Sequence, residues 1–156
     1  MNQKIPEYFG KQRITNPNFE NSSTDVILWE VIKVNPNQRM IFRFINTNSP
    51  YRQGVHLGFY YNDGEVIING VSASHYELWE DECPQVFNIE CRSKEGYLSL
   101  YNVFEMKDYT GNLRKISQID SCGMILEKND NIYRYKCNDV GFETSFDKLI
   151  FELELL

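Results

Sequence analysis

The sequence predicts an all-β protein: an antiparallel two-sheet β-sandwich of nine or ten hairpin-linked strands, with a partly closed barrel as the alternative. Three observations carry that expectation. Apolar residues recur at every second position over most of the chain, turn-forming residues interrupt them about every ten residues, and no stretch offers an apolar stripe at i, i+3, i+4 long enough for a helix. Composition points the same way, with one alanine (Ala73) against 14 Ile, 9 Val, 10 Tyr and 10 Phe. Ile, Asn, Lys and Tyr are also what AT-rich codons supply, so the residue pattern has to carry the inference.

Residues 1–24 read as an irregular arm, marked by Asn16-Pro17-Asn18 and Asn21-Ser22-Ser23 and packed on the domain through Tyr8, Phe9 and Phe19. Residues 25–156 form the single β domain. Its first strand spans Asp25 to Val34, with Val26, Leu28, Ile32 and Val34 on one face and Glu30 as an interruption; Asn35-Pro36-Asn37 ends it. Met40, Phe42 and Phe44 then alternate with Arg39 and Arg43. A first hairpin is expected from Val55-to-Tyr61 through Asn62-Asp63-Gly64 into Glu65-to-Asn69. A second joins Val86–Arg92 to Tyr97–Met106 across Ser93-Lys94-Glu95-Gly96. A third joins Gly123–Glu127 to Ile132–Cys137. Ser74 to Asp81 is ambiguous between a short strand and one helical turn. The last strand, Lys148 to Leu155, alternates most cleanly and is long enough to recruit a second chain if it lies at an edge, so a homodimer is an open expectation.

A chain of 156 residues with 22 acidic and 16 basic side chains carries a formal charge of −6. That balance disfavours nucleic acid as a partner. No apolar run approaches a membrane span, and the N-terminus lacks a basic-then-apolar signal layout, so neither a membrane nor export is expected. Cys83, Cys91, Cys122 and Cys137 form no C-x-x-C pair, and reduced thiols in a cytoplasmic protein are expected, with Cys91 a small core hydrophobe.

Chemistry is sparsely signalled. Gly70-Val71-Ser72-Ala73-Ser74 starts like a nucleophile elbow but lacks its final glycine and its strand-to-helix setting. A Cys137–His56–Asp139 triad can be drawn but has no support from spacing. His56 and His75 form no metal-ligand motif; Asp139 and Asp147 read as turn starters, and Lys148 would repel calcium. No catalytic residue, metal or cofactor is expected. Arg39, Arg43 and Arg52 read as a solvated strand face.

The distinctive segment is His75-Tyr76-Glu77-Leu78-Trp79-Glu80-Asp81-Glu82, where four of the six residues from 77 to 82 are acidic around a tryptophan. Clustered like charge costs self-repulsion, and an aromatic anchor among acids suits a basic protein partner. The expected partner-binding set is Glu77, Trp79, Glu80, Asp81 and Glu82. A small, acidic, cytoplasmic protein from an AT-rich bacterial genome is similar in size and charge to toxin-neutralising immunity proteins, which implies a basic toxin as partner. The competing expectation is a small-ligand or carbohydrate binder using Tyr60, Tyr76 and Trp79. The adjacency of Tyr60 and Tyr61 counts against a shared platform, because a regular strand sends them to opposite faces.

Overall fold

The computed structural model describes residues 9–19, 22–142 and 145–156; Tyr8 and Asn21 of the expected arm lie outside them. Thirteen strands run through these residues: β1 (Ile14–Thr15), β2 (Ile27–Lys33), β3 (Asn37–Thr47), β4 (Arg52–Gly58), β5 (Gly64–Ile68), β6 (Val71–Ala73), β7 (His75–Trp79), β8 (Val86–Ser93), β9 (Tyr97–Lys107), β10 (Leu113–Ser117), β11 (Gly123–Asn129), β12 (Ile132–Asn138) and β13 (Leu149–Leu155). A single 3₁₀ turn covers Pro17–Phe19. No helix among the described residues is long and apolar enough to cross a membrane.

The protein is all-β, and its strands form one antiparallel sheet in the order β6-β5-β8-β3-β13-β12-β11-β2-β9-β4-β7, with β1 on β2 and β10 on β9. The first and last strands of that path, β6 and β7, are consecutive in the chain and separated by Ser74 alone. The path therefore returns on itself, and the Phe59 amide donates to the Ser74 carbonyl at this bend, at 2.9 Å. β11 meets β2 through the single pair Met124 and Ile27. The result is a nearly closed barrel, the alternative architecture; the sandwich corresponds loosely, since opposite walls still face each other but belong to one sheet.

Period-two alternation places the core as the sequence implies. Met40, Phe42 and Phe44 of β3, Val55 and Leu57 of β4, Leu98 and Leu100 of β9, and Leu149, Phe151 and Leu153 of β13 all point inward and are at most 3% exposed. Cys91 joins them, and all four cysteines are free. Burial pushes the Cys91 thiol up to about 12. Arg43 of β3, Glu152 of β13 and Arg134 of β12 occupy one transverse row on the outer face, where Glu152 accepts from Arg134 Nε at 2.7 Å and pairs with Arg43 at 3.8 Å.

Several expected pairings differ. The Asn62-Asp63-Gly64 bend is no hairpin: β4 pairs with β7 and β9, whereas β5 crosses to β6 and β8. Asp63 gives the reason. Its carboxylate accepts from Ser93 Oγ at 2.6 Å and from the Glu95 amide at 2.7 Å, which ties this bend to the β8–β9 bend instead of closing it on itself. Nor do β8 and β9 pair with each other: β8 lies on β3 and β5, and β9 on β2 and β4. The third expected hairpin, β11–β12, is present in register from Gly123↔Asn138 to Asn129↔Ile132. Two further hairpins escape the sequence reading: β5–β6, turned by Asn69 and Gly70 at positive φ, and β9–β10. The ambiguous segment is strand β7. The last strand is no edge, because β13 sits between β3 and β12. Its placement removes it as a site for edge-to-edge dimerisation.

Glu30, the expected interruption, points inward at 1% exposure. Arg13 of the N-terminal segment reaches it in a bidentate pair at 2.9 and 3.0 Å, and Tyr135 donates to it at 2.9 Å.

Candidate functional site

The outer face of β2, β9, β4 and β7 gathers the chemistry-bearing side chains. On β4 the outward positions alternate large and small: Arg52, Gly54, His56, Gly58. Each glycine makes room for a ring from β7. A side chain at Gly54 would meet the Trp79 ring at 2.8 Å, and one at Gly58 would collide with the His75 imidazole and the Ser74 carbonyl.

The pairing register lines these residues up in transverse rows. One row reads Tyr101, His56, Glu77 across β9, β4 and β7. His56 stacks on Tyr101 with centroids 4.9 Å apart and planes at 10°, and Trp29 of β2 adjoins Tyr101 at 5.2 Å. His56 Nε2 lies 3.1 Å from His75 Nδ1, and His56 Nδ1 lies 3.5 Å from Glu77 Oε1. Glu77 also binds Lys115 of β10. Tyr60 packs edge-on against His75 at 4.5 Å.

Burial lowers the pKa of His56, and the neighbouring His75 lowers it further, against an opposing pull from Glu77; burial also lowers that of His75. Both rings are thus neutral in the folded protein when their unfolded counterparts already take up protons. Folded pKa values below the unfolded value of about 6.5 give stability that is fully present above that pH and is lost progressively as pH falls from there through the lower folded values. These are the two histidines of the chain. Acidification from about pH 7.5 to about pH 5.5 lowers the urea midpoint, and the His56→Gln/His75→Gln variant loses most of that pH dependence. A wild-type midpoint that stays level across this range contradicts the assignment.

The next rows carry the acidic segment. Arg52 donates from Nε to Asp81 at 2.8 Å and from Nη1 to Glu105 at 2.6 Å, and it also binds Glu82. Its guanidinium lies over the Trp79 ring at 4.3 Å. Desolvation works against the arginine's charge, but the hydrogen bonds to Glu105, Asp81 and Glu82 outweigh it and raise the pKa further. Three carboxylates thus converge on one cation, which in turn rests on an indole.

The sequence-predicted residues divide as follows. Asp81 and Glu82 meet at Arg52 and remain exposed. Glu80 is exposed in the same turn, its amide donating to the Gln53 carbonyl at 3.0 Å. Glu77 belongs to the histidine row. Trp79 is 8% exposed, so it is the floor under Arg52 and not a projecting anchor. Tyr76 alternates to the other side of β7, packs against the core and donates to the Val71 carbonyl at 2.5 Å. Tyr60, Tyr76 and Trp79 therefore do not form one platform.

Sequence reading missed Arg52, Glu105 and Lys115. The Arg-x-Gly-x-His-x-Gly pattern of β4 is the signal that could have exposed the site, since outward glycines invite rings from a neighbouring strand. The three arginines of the expected strand face do not gather: Arg43 pairs with Glu152 and Glu154, Arg52 with the acidic segment. The drawn triad does not assemble, because Cys137 is buried in the core whereas His56 lies on the outer face. Asp139 is buried and accepts from Ser49 at 2.5 Å and Gln53 at 2.9 Å. No metal-holding group of three or more His, Cys, Asp or Glu occurs among the described residues.

No protein-family model matches the chain, and no curated protein matches it.

Proposed function

We propose that this chain is a non-enzymatic protein-binding domain of the immunity type, whose acidic face around Arg52 docks a basic protein such as a toxin. The observation that carries this reading is the convergence of Asp81, Glu82 and Glu105 on Arg52 above Trp79. Exposed ion pairs contribute little to stability, so folding alone gives small reason to assemble this cluster. Charge counting leaves a surplus: Glu77, Glu80, Asp81, Glu82 and Glu105 face Arg52 and Lys115. The arginine holds Asp81, Glu82 and Glu105 in place, so a partner meets carboxylates whose rotamers are already restricted, which lowers the entropy lost on docking. The field they project speeds encounter with a positively charged surface.

Glu80 and Asp81 are exposed, so reversing their charge leaves the fold intact. Affinity capture with the wild-type chain identifies a basic partner, and its association rate is then compared for wild type and the Glu80→Lys/Asp81→Lys variant by surface plasmon resonance. The variant is expected to associate at least about tenfold more slowly and with a flatter salt dependence, while dissociation changes less. Equal association rates, or a captured partner with an acidic binding surface, would sink the proposal.

A further inference from the structure

We infer a second, independent binding site: a half-open cavity of about 440 Å³ that takes a neutral saccharide of one or two rings. It lies where the N-terminal segment, the β4–β5 bend and the β8–β9 bend meet, and its volume falls within the usual range for small-molecule sites, roughly 300–1,000 Å³. Four aromatic residues line it: Phe9, Tyr60, Tyr61 and Tyr97.

The convergence of Tyr60 and Tyr61 is the unexpected feature. In a continuing strand they would face opposite ways, but β4 ends at Gly58, and Tyr61 and Asn62 adopt left-handed backbone conformations with φ of 60° and 55°. Asparagine tolerates that conformation; tyrosine adopts it rarely. The break in alternation brings both rings to one cavity. Phe9 fixes their arrangement, meeting Tyr60 edge-on at 5.4 Å and Tyr61 at 5.8 Å. Tyr60 is braced from behind by Trp29, at 5.1 Å, and by His75. Tyr61 stays 52% exposed, an aromatic surface left to solvent at the mouth.

Charge selects the ligand class. The cavity holds two lysines and two carboxylates, Lys11, Lys94, Asp63 and Glu95, so it favours neither anions nor cations. Lys11 pairs with Glu95 at 3.1 Å, and the Asp63 carboxylate is already occupied by Ser93 and the Glu95 amide. Neutral sugars combine apolar C–H faces, which stack on tyrosine rings, with hydroxyls that bond to fixed polar groups. The site shares no residue with the acidic cluster at Arg52, so it stands or falls apart from the protein-binding proposal.

The test is an NMR titration of the isotope-labelled full chain with the methyl glycosides of glucose, galactose, mannose and N-acetylglucosamine and with their disaccharides at millimolar concentrations. The same sugars on a printed glycan array separate a free saccharide from a glycan terminus. Amide shifts confined to residues 9–11, 60–65 and 94–97 are expected with at least one probe. Tyr61→Ala, a change at an exposed position, weakens that binding about tenfold or more, Tyr61→Phe restores it, and Glu80→Lys/Asp81→Lys leaves it unchanged. Absence of shifts at the cavity with every probe, or equal affinity in Tyr61→Ala, overturns the inference.

Discussion

Phe42→Ala lowers the stability of the folded chain by about 3–5 kcal/mol, the range expected when a fully buried aromatic ring is deleted. Phe42 has no exposed surface. Its ring stacks on Phe151 of β13 at 5.4 Å with planes 4° apart, and on Phe87 of β8 at 5.1 Å, while Phe44 meets it edge-on at 4.8 Å. Because β3 lies between β8 and β13, one ring joins three strands of the barrel wall, and the neighbours are themselves held by ladder hydrogen bonds. The cavity left by truncation collapses poorly in such a setting. Urea unfolding followed by far-UV circular dichroism reads the loss as a lower midpoint at an unchanged slope. Tyr109→Ser at a fully exposed tyrosine is the control and stays within about 0.5 kcal/mol of wild type. Similar midpoints for the two variants would contradict the packing described.

Arg13→Ala has the second largest effect, about 2–3 kcal/mol. Removing one partner of a buried ion pair costs about 3–5 kcal/mol because the remaining charge is left uncompensated. Arg13 is itself 39% exposed on its side chain, so water screens part of the interaction and the lower figure applies. Glu30 has less room to adapt: its side chain is 1% exposed, and beyond Arg13 it has the Tyr135 hydroxyl at 2.9 Å and the Val31 amide at 3.0 Å. Arg13→Lys restores little, since an ammonium cannot reproduce the bidentate fork. Glu30→Gln removes the stranded charge, so the Arg13→Ala/Glu30→Gln double variant is more stable than the sum of the single losses implies. A double-mutant cycle in urea measures that coupling, and strict additivity would refute it.

The all-β strand pattern was legible in the sequence wherever one face of a strand meets the core; the closure of one sheet into a near barrel was only the alternative. Met40-Phe42-Phe44 and Leu149-Phe151-Leu153 alternate because each strand is wetted on one side, and the register follows from that. Strand neighbours were less legible. Asn62-Asp63-Gly64 and Ser93 to Gly96 read as hairpins because their residues suit tight reversals, yet the carboxylate of Asp63 joins the two bends to each other, an interaction across 30 residues that no local pattern encodes. Glu30 looked like an error in a strand because its cation, Arg13, lies 17 residues away in a segment without periodicity.

The candidate site was half legible. Charge density singled out Glu80, Asp81 and Glu82, which are exposed, but Arg52, which binds Asp81 and Glu82, sits on β4 and becomes their neighbour only through the β4–β7 ladder. Trp79 read as an anchor because it stands among acids; the outward glycine at position 54 instead leaves room for the indole beneath the guanidinium. Tyr60 and Tyr61 read as opposed because alternation was extended past the point where the backbone turns left-handed.

Docking of a basic partner on the acidic turn beside Trp79, as proposed, leaves a footprint of its own. Hydrogen–deuterium exchange of the chain, alone and saturated with its captured partner, reads this directly. Protection concentrated on residues 79–83 and the adjoining start of β4 is the predicted result; a footprint on the exposed β10 edge or on the Arg43–Glu152 face, with the turn after Trp79 unchanged, would contradict it.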